Sequence, residues 1–393
     1  MSLSRADRSV LTAWWFTVDR VQLYAICALV GIGLVVSLAA SPSVAINKDL
    51  PPFYFVQRHV VFAIAGMAII FLLSLQSPRT VRRTALAIYI IALAGLIAVQ
   101  FVGVEVNGAR RWIRIAGGSI QPSEFIKPAF VVLVAWALSE AKRRQDMPAL
   151  PIALAIYTAL VSLLLVQPDV GQSVLVTLVW GALFVLAGLS LLWVIAFVLI
   201  TVGGLVWAYV ALDYVRNRID QFASPMLDER SQMGLAYQSF VQGGFLGRGP
   251  GEGFIKARLP DAHADFIFAV IAEEYGALAC LGLVMLFAFI VVRGFIKALL
   301  EHDSANRLAI AGLALMFGLQ ALINMSVNVG LLPAKGMTLP MISAGGSSML
   351  GISITLGMLL ALSRRRPQSF GSELPPMPPP FRDPFTIGAG RQE

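Results

Sequence analysis

The chain has 393 residues, of which 58% are hydrophobic and only 13% are charged, and its formal net charge is +8. A soluble domain contains nearer a quarter of charged residues, so this composition excludes a disordered chain, a nucleic-acid-binding domain and an ordinary cytosolic enzyme. Basic residues that flank apolar segments are more typical of membrane topology than of nucleic-acid binding. We therefore expect an all-α polytopic membrane protein without a nucleic-acid partner.

Ten apolar segments are long enough to be membrane-spanning helices, which need about 20 apolar residues. The sixth and seventh segments, 170–188 and 190–212, could be read as one segment. Their combined length favours two helices. The ten segments are 21–41, 59–75, 84–103, 124–141, 150–167, 170–188, 190–212, 265–292, 307–328 and 345–363.

The remaining stretches define the domain organisation. Residues 1–20 form an N-terminal tail, 21–363 form the ten-helix membrane domain, and 213–264 form a large outer loop that we expect to be partly helical because of its length. Residues 364–393 are rich in proline and polar residues, which predicts a disordered tail.

The distribution of basic residues predicts the orientation. With the N-terminus inside, the inner connections contain Arg82, Arg83, Arg143, Arg144 and Arg293, among others. This agrees with the excess of Lys and Arg in cytoplasmic loops and places both termini in the cytoplasm.

The outer segments are also basic, which the topology rule does not explain. They contain Arg58, Arg111, Lys127, Lys256 and Lys335, among others. Two explanations remain open from charge alone: these residues pair with nearby acidic residues, or they bind an anionic ligand at the outer face.

The first candidate site is the sequence from Asn107 to Lys127. Pro122 and the two residues after it predict a helix start, with Glu124 in its first turn. Glu124 and Lys127 are three residues apart and share a helix face, so they can form an ion pair that merely anchors the helix end. The alternative is a phosphate site built from Arg111 and Lys127, since arginine offers a two-pronged donor and lysine a point charge.

The second candidate is the turn around Asp169, which lies between two apolar segments and is followed by Gln172. Beside proline and glycine, it could form a broken turn that lines a cavity. Asp169 could equally be an ordinary N-cap of the next helix.

The third candidate is Asp265, where the long outer loop enters an apolar helix. One interpretation is again an N-cap. The other is a general base in a partly apolar cleft, where desolvation would raise its pKa toward a useful value.

The fourth candidate is the proline- and glycine-rich stretch from 332 to 348, which we expect to dip into the protein. Freed backbone N–H groups at Gly345, Gly346 and Ser347 would open a helix N-terminus suited to an anion, with Lys335 adding charge. A simple chain-reversing loop is the alternative. The glycine-rich segment 247–253 matches no nucleotide-binding motif, and we interpret it as a flexible outer loop.

Taken together, five motifs resemble one family. The stretches NGARRWI…QPSEFIKP, QPDVGQ, YQSFVQGGFLGRGPGEG, LPDAHADFIFAVIAEEYG and LPAKGMTLPMISAGGSS are similar, in order and spacing, to those of the SEDS (shape, elongation, division and sporulation) bacterial cell-wall polymerases. Both ends of the chain resemble the division members more than the elongation members. Asp261 and Ala264 stand where relatives often have Glu and Thr.

The resemblance implies a ten-helix fold and a peptidoglycan glycosyltransferase that polymerises lipid II at the outer face of the inner membrane, at the division septum. It places the essential carboxylate on Asp265 and basic cavity residues on Arg111, Lys127 and Lys335. The residues predicted to contact substrate are Arg111, Lys127, Glu124, Lys335, Asp169, Gln172, Ser343, Gly345, Gly346 and Ser347.

The resemblance also implies partners: lipid II, a glycan on undecaprenyl pyrophosphate, a class B penicillin-binding transpeptidase and other division proteins. No metal-ligand motif is present in the sequence, so no cofactor is required, although a divalent cation (Mg²⁺ or Mn²⁺) could assist. A lipid II flippase and a noncatalytic division scaffold are the alternative functions. The charges near membrane depth cluster at the outer ends of the helices, which favours chemistry at the outer face over flipping.

Overall fold

The computed structural model describes residues 9–106, 109–115, 118–144, 146–188, 191–223, 231–333 and 336–365. These residues form helices with one small sheet. The helices are α1 (Val10–Thr17), α2 (Arg20–Ile46), α3 (Tyr54–Ser74), α4 (Pro78–Val102), α5 (Pro122–Arg143), α6 (Ala149–Val166), α7 (Val170–Leu186), α8 (Leu191–Ala211), α9 (Asp213–Ala223), α10 (Gln232–Gly243), α11 (Ile267–Leu299), α12 (Ser304–Asn328) and α13 (Gly346–Leu362).

Each of the ten segments predicted to be apolar helices falls on a helix of the structure. The ambiguous pair 170–188 and 190–212 forms two helices, because α7 ends at Leu186 and α8 begins at Leu191. Additional helices lie where the sequence predicted tail or loop: α1 lies in the predicted N-terminal tail, and α9 and α10 lie in the outer loop 213–264, which is thus partly helical as expected.

Among the described residues, six helices are long and apolar enough to cross a bilayer. Shorter apolar helices cover Val170–Leu186, Thr201–Ala211 and Gly346–Leu362. The chain is therefore a multi-pass membrane protein. The six long spans are Arg20–Pro42, Tyr54–Ser74, Pro78–Val102, Ala149–Val166, Ile267–Leu299 and Ser304–Asn328.

The centre of the molecule is formed by α5, α12 and α13, which contact one another, while α3 packs on α13 and α7 packs on α12. Close approach depends on small residues, as is usual between membrane helices. At Gly351 of α13, a side chain would collide with the backbone carbonyl of Glu124 on α5. This contact fixes the N-terminal turns of α5 against α13, and the predicted site residue Glu124 lies there.

The expectation of an all-α fold needs one correction, in the outer segment after α4. Three short antiparallel strands, β1 (Val104–Val106), β2 (Ala109–Ile115) and β3 (Gly118–Ile120), form a sheet in the order β1-β2-β3. The seven residues of β2 include three arginines among apolar side chains, a composition that does not fit a membrane-spanning helix. The short sheet was not predicted because a membrane-wide hydropathy pattern does not detect hairpins of this length.

Helix α11 is broken at Gly276, whose φ of 78° and ψ of 177° are not helical. The outer loop binds to this break. The N–H groups of Arg248 and Gly249 donate to the carbonyls of Glu273 and Glu274, each at 3.0 Å, and the N–H of Ala277 donates back to the loop at 2.9 Å. The glycine-rich segment 247–253 was predicted to be flexible. In the structure, its first residues instead form hydrogen bonds with the backbone of α11 that the break exposes.

The same loop is also fixed through side chains. The buried Glu273 carboxylate accepts hydrogen bonds from three consecutive backbone N–H groups, those of Phe254, Ile255 and Lys256, at 2.7, 2.8 and 3.1 Å. The Lys256 ammonium in turn pairs with buried Glu274. These contacts tie the outer loop to the part of α11 that follows Asp265.

We predict that Gly276→Ala destabilises the protein. A Cβ at this position would collide with the backbone of Phe245 and Gly247, and the left-handed φ adds strain, so a loss of about 1–3 kcal/mol is expected. Gly282→Ala, on the same helix with open space around it, is the matched control. Thermal unfolding in nanodiscs measures both; equal midpoints for the two variants would contradict this role of the break.

The two chain ends meet at one end of the bundle. The Arg365 N–H donates to the Thr17 carbonyl at 3.0 Å, and the Arg364 guanidinium donates to the Thr17 hydroxyl at 2.9 Å and to the Leu75 carbonyl at 3.0 Å. Both ends of the described chain therefore lie on the same side. Of the predicted tail 364–393, the first two residues therefore bind the start of the chain and α3, and residues 366–393 lie outside the described residues.

A buried ion cluster reinforces this end. Although burial raises the pKa of Asp19, hydrogen bonds from Arg293, the Gln22 N–H and Lys297 lower it overall. The Arg293 and Lys297 nitrogens approach the carboxylate to 2.7 and 3.0 Å. The last turns of α11 are thus bound to the start of α2.

Candidate functional site

A cavity of about 390 Å³ lies at the end of the bundle where the outer loops converge. Its walls come from α3, the small sheet, the start of α5, the turn before α11 and the start of α13. The lining residues are Phe55, Arg58, Phe62, Ala109, Arg111, Trp112, Ser119, Gln121, Glu124, His263, Ala264, Asp265, Gly336, Thr338, Ala344, Gly345, Gly346, Ser347 and Ser348.

Asp265 lies in a turn two residues before α11 and lines this cavity. The N-cap interpretation is wrong, because Phe266 occupies the cap position and no side chain caps the helix. Among the described residues, none forms a hydrogen bond or an ion pair with the Asp265 carboxylate. Burial, with a smaller contribution from the charge of Asp261, raises the pKa of Asp265 to about 7.

The backbone of Asp265 is held firmly even though its side chain is free. The side-chain amides of Asn324 and Asn328 donate to the Asp265 carbonyl at 2.8 and 3.0 Å. The Asn328 side-chain oxygen accepts the N–H of Ala269 at 3.1 Å, a group in the first turn of α11 that also donates to the Phe266 carbonyl at 3.1 Å. The motifs did not indicate these asparagines, but two amides four residues apart in an otherwise apolar helix are a recognisable signal.

The irregular segment before α13 does dip into the protein, as expected. The Ser343 hydroxyl donates to the Ala264 carbonyl at 2.6 Å, and the Ala344 N–H donates to the His263 carbonyl at 3.0 Å. Ser343 therefore supports the turn that carries Asp265 and does not line the cavity, and its contact with substrate stays a prediction.

Helix α13 begins at Gly346, and Gly345, Gly346 and Ser347 line the cavity as predicted for an anion site. No side chain caps this helix start. Lys335, the remaining predicted basic residue, lies outside the described residues.

The predicted Lys127 lies behind the cavity wall, where it is 2% exposed. Its ammonium donates to Glu124 and Gln172 at 2.9 Å each and to Gln320 at 3.2 Å, and these bonds use all three of its N–H groups. The Gln172 amide also donates to Glu124 at 2.9 Å. Both Lys127 and Gln172 thus support Glu124, which does line the cavity, and the direct contact of these two residues with substrate stays a prediction.

Arg111 and Asp169 come together, as both predicted sites allowed. Arg111 lines the cavity, and its guanidinium donates to the carbonyls of Gln167 and Pro168 at 3.2 and 2.5 Å. It also lies 3.8 Å from the Asp169 carboxylate, which caps α7 by accepting the Gln172 N–H. Burial raises the pKa of Asp169, and the Arg111 charge opposes this shift. Asp169 itself does not line the cavity but contacts Arg111, which does; the substrate contact of Asp169 stays a prediction.

Several lining residues were not assigned a role by the motifs. His263 stacks on Phe55 with ring centroids 4.2 Å apart. Burial, with help from the Lys48 charge, lowers the pKa of His263 to about 4, so this imidazole is neutral at neutral pH. Arg58 also lines the cavity, from the second turn of α3.

The described residues contain no group of three or more His, Cys, Asp or Glu side chains that could hold a metal ion. A divalent cation there would be shared between at most two such protein side chains and oxygens of the substrate and water. Such coordination is typical of Mg²⁺, which binds one or two carboxylates together with phosphates.

This geometry defines a class: a polytopic membrane protein whose outer loops enclose a cavity with one uncommitted carboxylate and two arginines. Comparison with known proteins then gives the family. The family model described as "Cell cycle protein" and covering FtsW, RodA and SpoVE matches residues 20–368. The chain belongs to this family, the SEDS family.

Individual relatives agree over nearly the whole length. The chain is 44% identical over 372 residues to a protein of Caulobacter vibrioides (strain NA1000 / CB15N) named "Probable peptidoglycan glycosyltransferase FtsW", covering 94% of this chain and 95% of that protein. It is similar to a chain from a solved peptidoglycan synthase complex described as coordinating polymerization and crosslinking, with a TM-score of 0.73 and 30% identity, covering 88% and 97% of the two chains. The crystal structure of RodA of Thermus thermophilus gives a TM-score of 0.64 at 28% identity, covering 89% and 97%.

Proposed function

We propose that this chain polymerises lipid II into glycan strands at the outer face of the cytoplasmic membrane during division. The chain is a peptidoglycan glycosyltransferase, and its similarity to proteins named FtsW supports the division role. The observation that carries the proposal is the Asp265 carboxylate: it faces a cavity, has no protein partner among the described residues, and has a pKa raised to about 7.

The proposed step is an inverting displacement. The 4-hydroxyl of the acceptor sugar attacks the anomeric carbon of the donor, and its proton passes to Asp265. The bond from the anomeric carbon to the pyrophosphate oxygen breaks, and undecaprenyl pyrophosphate leaves with the bonding electrons. Because pyrophosphate is a good leaving group, the reaction needs one carboxylate, unlike the pair used in glycosidases.

The other residues bind and orient. Arg111 and the N-terminus of α13 at Gly345, Gly346 and Ser347 supply positive potential toward the leaving group. Lys127 holds the Glu124 carboxylate in place by a hydrogen bond, and the two asparagines of α12 fix the backbone of Asp265. Lys335 adds charge from the same segment, as the sequence indicates.

If Mg²⁺ or Mn²⁺ takes part, Asp265 is the uncommitted carboxylate available to it, alongside substrate pyrophosphate oxygens. The cation would neutralise charge on the leaving group.

The architecture that we propose for this function has ten transmembrane helices, α2 to α8 and α11 to α13, with both termini cytoplasmic. The hydrogen bonds between the two chain ends support a common side for them. We place the protein at the septum with a class B penicillin-binding transpeptidase, because a similar chain was solved in a complex for polymerization and crosslinking.

The test uses purified protein in nanodiscs with labelled lipid II, alone and with the transpeptidase. Glycan strands resolved by gel electrophoresis are the expected product. Movement of lipid II across liposome membranes without strand formation would instead support a flippase, and neither activity in the presence of the partner would support a scaffold.

We predict that the polymerisation rate rises with pH through about 7. The base must be deprotonated to accept a proton, so activity is lost below the raised pKa of Asp265 and reaches a plateau above it. Asp261→Asn removes the charge that contributes to this shift, and asparagine tolerates the positive φ of 53° at this position. The fall in activity at low pH should therefore occur at a lower pH in Asp261→Asn than in the wild type. A wild-type activity that falls only near pH 4, the ordinary pKa of an aspartate, would contradict the assignment.

A further inference from the structure

Six basic residues of the outer segments have an acidic partner among the described residues, which explains their presence without a ligand. The described ion pairs of this kind are Lys48 with Asp261, Arg110 with Glu105, Arg111 with Asp169, Lys127 with Glu124, Arg216 with Asp213, and Lys256 with Glu274.

Arg58 differs from this group. It lines the cavity, its side chain is exposed, and among the described residues it forms no ion pair. Its one described hydrogen bond is a long one of 3.4 Å to the Tyr54 hydroxyl. The guanidinium carbon lies 5.7 Å from the ring centre of Tyr54 and 6.0 Å from that of Phe62, which holds it near the aromatic wall.

The absence of an acidic partner for Arg58 among the described residues is important because most other charges that line the cavity are paired. Its charged lining residues in the described chain are Arg58, Arg111, Glu124 and Asp265. Lys127 neutralises Glu124, and Asp169 and two backbone carbonyls engage Arg111. One positive group and one negative group remain uncommitted, namely Arg58 and Asp265.

We propose that Arg58 binds the pyrophosphate of a polyprenyl-linked substrate in this cavity, a role for which Lys127 is not available. The proposal rests on the proposed function and names a binding residue for it. A guanidinium can donate two parallel hydrogen bonds to phosphate oxygens. Arg58 can do so without first breaking an ion pair with the protein.

The surroundings of Arg58 fit such a ligand. The Phe62 ring lies against Gly346 at the start of α13, so Arg58 and the uncapped helix N-terminus belong to the same wall. An anion at this wall would meet both the arginine and the free N–H groups. Asp265 lies across the same cavity and can act on the sugar that the pyrophosphate carries.

The test compares wild type, Arg58→Gln and Arg58→Lys in nanodiscs with the transpeptidase and labelled lipid II. We expect Arg58→Gln to raise KM for lipid II about tenfold or more, with a smaller change in kcat. Arg58→Lys, which keeps the charge and loses the fork, should recover part of the difference. Arg110→Gln is the matched control, because Arg110 is an exposed outer arginine that does not line the cavity.

A second measurement separates this proposal from the proposed function. Binding of undecaprenyl pyrophosphate and undecaprenyl phosphate to each variant in nanodiscs is measured by native mass spectrometry. Preferential loss of pyrophosphate binding in Arg58→Gln supports the proposal, even if no strands are formed. Equal affinity of wild type and Arg58→Gln for the pyrophosphate lipid overturns it, including when the wild type polymerises normally.

Discussion

Asp265→Asn should abolish strand formation while leaving the protein folded. The substitution keeps the shape of the side chain and removes its ability to accept a proton at neutral pH. General-base catalysis contributes about 10²–10⁴-fold to rate, so the polymerisation rate should fall by about this factor. Strand formation from labelled lipid II, in the presence of the transpeptidase, measures the loss.

The structure supplies the control for folding. Asn324 and Asn328 bind the Asp265 backbone carbonyl and not its carboxylate, so the substitution leaves these hydrogen bonds in place. The thermal unfolding midpoint of Asp265→Asn should therefore equal or exceed that of wild type, since a buried carboxylate without a partner is replaced by a neutral group. Polymerisation within threefold of wild type would remove Asp265 from the mechanism.

The asparagines of α12 can be tested separately as positioning residues. Asn328→Leu removes both the donor to the Asp265 carbonyl and the acceptor for the Ala269 N–H. We expect lower kcat, an altered pH profile because the Asp265 turn relaxes, and a loss of stability of about 0.5–1.5 kcal/mol for each lost hydrogen bond, since the Asp265 carbonyl keeps Asn324 and the Ala269 N–H keeps the Phe266 carbonyl as partners. Stability loss with an unchanged pH profile would indicate a purely structural role.

Much of the architecture follows from the sequence because its signals are local. The length of apolar segments located the helices, and the weakest choice, two helices over 170–212, was correct because α7 ends at Leu186 and α8 begins at Leu191. Asp265, Arg111 and the α13 start converge on one cavity, although more than 150 residues of chain separate Arg111 from Asp265. Motif order identified these members, while their proximity depends on helix packing.

The sequence could not predict which hydrogen-bond or ion-pair partner each polar side chain has in the folded protein. Lys127 and Arg58 have similar signals in the sequence, since each is a basic residue near the outer end of an apolar helix. Gln320, about two hundred residues beyond Lys127, supplies one of the three acceptors that saturate the lysine. No spacing rule within one helix can indicate such a contact. The break at Gly276 was missed for the same reason, because the loop 244–249 that stabilises it is distant in sequence.

The Lys127 assignment leads to the second large expected effect. Lys127→Met leaves Glu124, which is only 4% exposed, without its cationic partner and with its remaining hydrogen bond from Gln172. Removing one partner of a buried ion pair costs about 3–5 kcal/mol because the other charge is left uncompensated. Thermal unfolding of the nanodisc-embedded protein should show this loss even without substrate.

A double-mutant cycle then separates a supporting role from direct substrate binding. Glu124→Gln combined with Lys127→Met removes both charges, so the double variant should be more stable than Lys127→Met alone. If Lys127 contacted the pyrophosphate directly, Lys127→Met would instead fold with nearly the wild-type midpoint and raise KM for lipid II. The three N–H groups of Lys127 are all bound to protein oxygens. The main effect of Lys127→Met should therefore be the loss of stability, and any change in KM should result from displacement of Glu124. The cycle therefore tests whether the cavity takes its free positive charge from Arg58, on its surface, while Lys127 stabilises the wall behind it.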